Sequence, residues 1–283
     1  MKERNILDLI KSRFEKEPKH IFLEDIEGQK FTFFDLYKFF LKLNNYFTKK
    51  NIKTQDKVVV VFENSLLLSL LFLGITSTQR IFVPINPSSG KEEFNYILEK
   101  LKPSLIITED IYKKKIKKKF DKKTIKIKNH KNFLDQIYEY KDKTVKSKNK
   151  KNISEILFTS GSTGKPKAII LTHDSIMNNL LGIYKQIKFK KNKNYLVVTP
   201  VYHNNGQFIP TLIPLLTYGR SIPTNSLTSI DNFWNLIKSK SIDYSSVMVT
   251  HINYLYYHRK PTKNNLEALF CGGAKLDDKI QKN

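Results

Sequence analysis

Four consecutive valines, Val58 to Val61, followed by Phe62, set the tightest limit on how this chain can fold. Branching at Cβ suits them to extended backbone. A run that is apolar at every position, not every second one, predicts a strand covered on both faces. Ile81 to Ile85 and Leu105 to Thr108 repeat the pattern. Helical segments lie between them. Asn64-Ser65 predicts the cap of a helix running to about Gly74, and Lys91 to Leu101 predicts another. Upstream, short apolar segments flank Glu27-Gly28, so Leu23 to Phe33 predicts a hairpin. A helix from about Phe34 to Lys49 follows, with Leu36, Phe39, Phe40, Leu43 and Phe47 on one face. Buried strands alternating with helices predict a layered α/β fold around a mainly parallel sheet.

From Tyr112 to Asn152 this pattern breaks. Lysines cluster at 113–115, 117–119 and 141–151 with few apolar residues between them. The segment reads as a solvated excursion or linker, 112–152, between an N-terminal α/β subdomain, 1–111, and a second block, 153–283. That block predicts strands at Ile156 to Thr159, Ala168 to Leu171 and Tyr195 to Val198, and a helix from Asp174 to about Gln186.

The formal net charge is +24, from 50 basic and 26 acidic residues. Only Arg4, Arg13, Arg80, Arg220 and Arg259 are arginine. Base readout and bidentate phosphate contacts favour arginine. The abundance of Lys, Asn and Ile, all with AT-rich codons, points to coding bias and a solvated surface. This argues against nucleic acid as partner, and a specific anionic partner is the alternative. The single cysteine, Cys271, excludes an internal disulfide, and no Cys/His set has zinc-like spacing. Met1 to Pro18 has no uninterrupted apolar run of the secretory kind. Leu66 to Ile75 falls short of the roughly 20 residues that span a bilayer. A soluble, cytoplasmic protein is expected.

The chemistry concentrates in one loop, Thr159-Ser-Gly-Ser-Thr-Gly-Lys-Pro-Lys167. Two of the ten glycines, Gly161 and Gly164, stand there among the hydroxyls of Thr159, Ser160, Ser162 and Thr163, with Lys165 and Lys167 after them. Glycine allows close backbone approach to a ligand, successive backbone N–H groups form an anion nest, and lysine adds charge. These are the requirements of a polyphosphate cradle. It is not a Walker A loop, which needs four residues between its glycines and a hydroxyl residue after the lysine. Here Pro166 follows Lys165 and the β-branched pair Ile169-Ile170 comes soon after, so the loop joins two strands.

This segment, with Leu171-Thr-His173, resembles the signature of the AMP-binding, adenylate-forming superfamily, which includes acyl-CoA synthetases and the adenylation domains of peptide synthetases. Ala168 stands where that family has glycine. Phe31 to Leu36, Asp56 to Val60 with Glu63-Asn64-Ser65, and Phe82 to Pro87 are similar to further family segments. Thr78-Gln79-Arg80 departs from the small residues the family has before Phe82. The resemblance implies the N-terminal α/β domain of an adenylate-forming enzyme without its C-terminal part. It makes ATP with Mg2+ the expected cofactors and His173 a structural residue.

Thr199-Pro-Val-Tyr-His-Asn-Asn-Gly-Gln207 resembles the family segment that borders the acid, which places His203, Asn205 and Gly206 in an acyl pocket. Amino-acid-activating members supply an Asp there for the substrate ammonium. None occurs here, and an unpaired buried ammonium is costly, so a carboxylic acid without an α-amino group is expected. Cys271-Gly-Gly-Ala-Lys-Leu276 resembles the segment along adenine and acyl group, implicating Gly272, Gly273 and Ala274. Lys275 replaces the family's proline, and Cys271 is expected to pack and not to act as a nucleophile.

The resemblance implies formation of an acyl-adenylate followed by transfer to a thiol such as coenzyme A. It also implies a Tyr/Thr/Glu segment, a ribose-binding Asp and a C-terminal lysine that this chain does not carry, so no catalytic residue or metal ligand is assigned. Three readings follow. The first is an acid–thiol ligase completed by a separate C-terminal chain or by a longer native product. The second is a nucleotide-binding but inactive remnant. The third, a basic nucleic-acid-binding module, rests on charge alone.

Overall fold

The computed structural model describes residues 5–145, 151–159, 165–224, 230–259, 261 and 263–281. The chain forms two compact units, each assembled from separate segments. Met1–Pro18, Phe33–Glu63 and Leu70–Leu181 form the first, and Lys19–Thr32, Asn64–Ser69 and Gly182–Asn283 the second. The division at 112–152 expected from composition is therefore not the division the contacts make.

The first unit is built on a six-stranded sheet. Its strands are β3 (Lys57–Val61), β4 (Ile81–Pro84), β5 (Leu105–Glu109), β6 (Thr124–Ile127), β7 (Ile153–Thr159) and β8 (Lys167–Thr172), in the order β6-β5-β3-β4-β7-β8. All neighbours are parallel except β7 and β8. The valine run lies at the centre, with Val59 opposite Val83 on one side and Ile106 on the other. Val58 to Val61 are completely buried, as a strand enclosed on both faces requires. One face packs Val59, Val83 and Ile106 against Phe94, Ile97 and Leu98 of helix α4 (Lys91–Leu101).

Two sequence-based boundaries shift for physical reasons. Helix α3 (Leu66–Ser77) runs through Gly74. A Cβ at Gly74 would lie 2.7 Å from Leu43 Cδ2 and 3.1 Å from Phe39 Cε1, so this glycine lets α3 approach helix α2 (Phe33–Lys49) and does not end α3. At the start of α3 only Ser65 caps, its Oγ accepting from the Leu68 N–H at 3.2 Å. The Lys-rich segment holds β6 and helix α5 (His130–Tyr138). Ile116, Phe120, Ile127, Phe133, Leu134 and Ile137 are buried. Intervening lysines masked that spacing. Lys117 and Lys119 pair with Glu99 at 2.7 and 2.9 Å, and Lys115 donates to the carbonyls of Pro87 and Ser89.

At the divergent Thr78-Gln79-Arg80 step, Arg80 is only 3% exposed. Its guanidinium donates to Asn44 Oδ1 and to the carbonyls of Thr78 and Ile52, and lies 5.3 Å from the Phe47 ring centre. Burial pushes its pKa down to about 10, so it stays charged at neutral pH. His173, the first residue of helix α6 (His173–Ile187), is 1% exposed. Neither of its ring nitrogens meets a hydrogen-bond partner among the described residues.

The second unit has strands β1 (Ile21–Glu24), β2 (Lys30–Thr32), β9 (Asn194–Val197), β10 (Arg220–Pro223), β11 (Tyr244–Met248) and β12 (Ala268–Gly272), ordered β12-β11-β9-β10-β1-β2. The expected hairpin forms as β1 and β2, the only antiparallel pair described in this sheet. Helices α9 (Phe233–Ser239) and α10 (Val249–His258) contribute Phe233, Ile237 and Leu255 to a core with Leu196, Ile222 and Val247. Buried Glu24 is held by Arg220 and Lys240 at 2.5 and 3.0 Å.

Two stability predictions follow from the first unit. Replacing Arg80 with Met removes the donors from three acceptors in a dry site, and the expected loss is on the order of 3 kcal/mol. A urea titration should show the lower midpoint with an unchanged slope, and a loss below about 0.5 kcal/mol would contradict this account of Arg80. For His173, burial pushes the imidazole from 6.5 down to about 4. Between those pH values the unfolded chain binds the proton and the folded chain does not, so stability present above pH 6.5 is lost as pH falls towards 4. The shift corresponds to about 3 kcal/mol. His173→Leu should flatten this acid limb of a pH-dependent unfolding series and leave the neutral-pH value unchanged or higher.

Candidate functional site

The phosphate-loop reading falls on the connection between β7 and β8. These strands form an antiparallel hairpin whose last described pair is Thr159 opposite Lys167. A strand, β8, follows the loop, as the spacing of its glycines and the Ile169-Ile170 pair implied. Thr159, Lys165 and Lys167 are exposed, while Ser160, Gly161, Ser162, Thr163 and Gly164 lie outside the described residues. β8 is exposed along most of its length. The hairpin therefore presents two lysines to solvent on either side of Pro166, where charge can meet a polyanion.

The proposed acid segment leaves the carboxyl end of β9. Thr199 Oγ1 donates to the Ser246 carbonyl at 3.0 Å. The chain then turns tightly. The His203 N–H donates to the Pro200 carbonyl, and the Gly206 N–H to the His203 carbonyl. Helix α7 (Asn204–Gln207) carries Gly206 so close to the preceding backbone that a Cβ would sit 2.3 Å from the Thr199 oxygen and 2.4 Å from the Pro200 oxygen. Only glycine fits. Buried Gln207 Nε2 donates to the Val201 carbonyl at 2.9 Å, and a π-helical turn, Phe208–Leu212, leads into helix α8 (Ile213–Thr217). The His203 ring meets Tyr202 at 4.8 Å and remains exposed on its other side. Partial loss of water lowers its pKa, so the imidazole is neutral at neutral pH.

Gly272 ends β12, paired in register with Met248 at the end of β11. A Cβ at Gly272 would lie 2.7 Å from Asn205 Nδ2. The structure thus brings Asn205 and Gly272, 67 residues apart in number, against each other at the carboxyl edge of one parallel sheet. In open α/β sheets that edge is where ligands bind. Gly273 adopts φ +98°, a backbone conformation that side-chain-bearing residues rarely take, and Ala274 follows it, exposed. Cys271 is exposed, contrary to the expectation that it packs, and what burial it has pushes its thiol pKa up. An unactivated thiol results.

Some contacts at this edge were not expected from sequence, where Asn64 reads as a helix cap and Thr199 as the start of the acid segment. Asn64 and Thr199 fasten strand ends by bonds to distant carbonyls. His251, in the first turn of α10, accepts from the Met248 N–H at 3.4 Å through Nδ1, and burial lowers its pKa. No local pattern marks these contacts. Among the described residues no group of three His, Cys, Asp or Glu side chains could hold a metal ion, and no helix is long and apolar enough to cross a membrane.

Comparison with known proteins agrees with this geometry. The AMP-binding enzyme family matches residues 10–283. Gramicidin S synthase 2 of Brevibacillus brevis is 25% identical over 266 residues, which cover 91% of this chain and 6% of that protein. The 2-succinylbenzoate–CoA ligase of Staphylococcus aureus strain JH9 is 28% identical over 124 residues, 44% of this chain and 25% of the ligase. This chain therefore spans a small part of the length of these relatives. Among solved structures, the fatty acyl-adenylate ligase from L. pneumophila, in complex with acyl adenylate and pyrophosphate, matches with a TM-score of 0.85 at 18% identity. That match covers 99% of this chain and 52% of the ligase. The inhibitor-bound N-terminal domain of FACL13 from Mycobacterium tuberculosis gives 0.87 at 17% identity, over 99% and 72%. With the two parallel-rich sheets and the family match over nearly its whole length, the chain belongs to the AMP-binding enzyme family and has the fold of the N-terminal domain of adenylate-forming ligases.

Proposed function

We propose that this chain is the nucleotide- and acid-binding part of an ATP-dependent ligase that activates a carboxylic acid without an α-amino group and passes it to a thiol such as coenzyme A. The observation that carries the reading is the β7–β8 hairpin, whose Gly/Ser/Thr connection is flanked by exposed Thr159, Lys165 and Lys167. In this reading a carboxylate oxygen attacks the α-phosphorus of ATP, the bond to pyrophosphate breaks, and acyl-AMP forms. The loop's N–H groups, hydroxyls and lysines hold the β- and γ-phosphates and offset the charge that the leaving pyrophosphate gathers. Asn205 and Gly272 border the acyl-adenylate, with neutral His203 beside the acid. The complex of a structural relative with acyl adenylate and pyrophosphate, and the coenzyme A ligase among the sequence relatives, support the two half-reactions. No Asp or Glu occurs between Asn194 and Thr224, which supports an acid lacking an ammonium. Magnesium finds no ligand set among the described residues, and a cytoplasmic setting and a separate C-terminal chain remain parts of the proposal.

ATP binding should depend on the hairpin loop. Replacing Gly161 and Gly164 together with Val should abolish binding in calorimetry and leave circular dichroism and the unfolding midpoint close to those of the parent chain. Unchanged affinity for ATP would remove the loop from the site.

ATP–pyrophosphate exchange over a panel of carboxylic acids should be absent with the 283-residue chain alone and appear when a C-terminal ligase segment is added. Removing one well-placed electrostatic donor costs on the order of 10²–10³ in rate, and the resemblance assigns several such groups to that segment. Robust exchange by the chain alone would show that its own residues carry the chemistry. Absence of exchange in both conditions, with ATP still bound, would favour the inactive-remnant reading.

A further inference from the structure

We propose that Asn64 is a positioning residue for the acid-binding segment, a role that rests on the reading of Thr199–Gln207 given above. Asn64 is 2% exposed. The two hydrogens of its Nδ2 donate to the Val197 carbonyl at 2.8 Å and the Thr224 carbonyl at 2.6 Å. Val197 is the last residue of β9 and pairs in register with Pro223, the last of β10. The asparagine therefore clamps two adjacent parallel strands at their carboxyl ends. The Thr224 N–H and Oγ1 both reach the same Val197 oxygen at 3.3 Å, so the clamp gathers at one point.

The position of that point matters. Two residues beyond Val197, Thr199 ties the chain to Ser246 of β11, the strand on the other side of β9. The exit of β9 is thus fixed towards β10 by Asn64 and towards β11 by Thr199. Gly206 is wedged against the Thr199 and Pro200 oxygens, so any shift of this exit carries His203, Asn205 and Gly206 with it. A helix-cap role would be the ordinary explanation for an asparagine here. Ser65 already supplies the cap of α3, and both Asn64 donors are spent on carbonyls 133 and 160 residues away. Asn64 Oδ1 is buried and has no hydrogen-bond partner among the described residues. The fold tolerates an orphaned acceptor in order to place two donors, and these are the two hydrogens that an isosteric carboxylate lacks.

The test uses the 283-residue chain with Asn64→Ala, Asn64→Asp and Asn64→Ser. The probes are ATP and the acetyl-, octanoyl- and benzoyl-sulfamoyl adenosines, measured by calorimetry. Misplacing a site by about an ångström costs on the order of a hundredfold. Asn64→Ala should therefore weaken the best acyl probe by roughly ten- to a hundredfold while ATP changes less than about threefold. Asn64→Asp should be worse, and Asn64→Ser, which keeps one donor, should recover part of the loss. Amide hydrogen exchange should accelerate over 198–208 and stay unchanged in β3 and β5. Equal losses for ATP and acyl probe that track the fall in stability, or an unchanged acyl affinity, would overturn the role. If Asn64→Ala does not fold, the Asn64→Ser ratio and its exchange pattern decide the matter in the same way. If the parent chain binds none of the acyl probes, the reading of the segment fails. Exchange over 198–208 in the Asn64 variants then decides whether the clamp holds that segment at all.

Discussion

The first unit depends on a strand from which water is excluded on both faces. Val58 to Val61 have no exposed surface, so every backbone N–H and C=O of the strand must be satisfied by neighbouring strands. Parallel β4 and β5 provide this, and parallel pairing in turn demands long crossovers, here supplied by helices that cover the faces. Once the faces are covered, chemistry can be presented only at the strand ends and on hairpins that leave the sheet. Both candidate segments obey this rule. The connection proposed to hold phosphate joins β7 to β8, and the segments proposed for the acid and the adenylate follow β9 and end β12.

The two sheets solve the same problem in the same way. In each, an initial strand, β3 or β9, is flanked by the second on one side and the third on the other, with the fourth beyond the third. An antiparallel hairpin extends each sheet past the second strand. In one case this hairpin is β7–β8, which follows the four strands in sequence. In the other it is β1–β2, which precedes them. Equivalent hairpins carry opposite chemistry. One loop is rich in hydroxyls and lysine, and the other, Asp25 to Gln29, contains Asp25 and Glu27. Asp25 Oδ1 accepts from the Gln29 N–H at 2.7 Å, which closes the turn internally. Only the first carries the lysines that the proposed phosphate role needs.

Local periodicity revealed most strands and helices, including the bounds of α4 and the β1–β2 hairpin, because burial on one or both faces writes itself into adjacent residues. It could not reveal which segments join which sheet. Leu23 pairs with Ser221, and nothing near either residue specifies the other. Within the Tyr112 to Asn152 segment β6 and α5 leave little periodic trace, because the few apolar residues, such as Ile116 and Phe120, are separated by lysines. The connection proposed to hold phosphate stands in the sequence as one contiguous run, Thr159 to Lys167. The roles of Asn64 and Thr199 were not legible there, because each is defined by a carbonyl far away in sequence. Asn205 and Gly272 were each legible, but their contact was not.

The basic excess acquires a structural meaning from the same hydrogen bonds. With 50 basic and 26 acidic residues, one-to-one pairing would leave 24 cations without a carboxylate. Several lysines find carbonyl oxygens instead. Lys42 donates to Tyr138 and Tyr140 at the end of α5, at 2.9 and 2.7 Å. Lys115 donates to Pro87 and Ser89, and Lys123 to Pro103. Carbonyls at a helix end are unsatisfied and carry the negative pole of the helix dipole, so a cation there is favourable. A chain short of acidic residues thus uses lysine to close its backbone. These contacts fix the lysine head groups without cancelling their charge, and Lys117 and Lys119 share the one carboxylate of Glu99. Lys165 and Lys167, beside the Gly/Ser/Thr connection, are exposed, as are Lys114, Lys118 and Lys122.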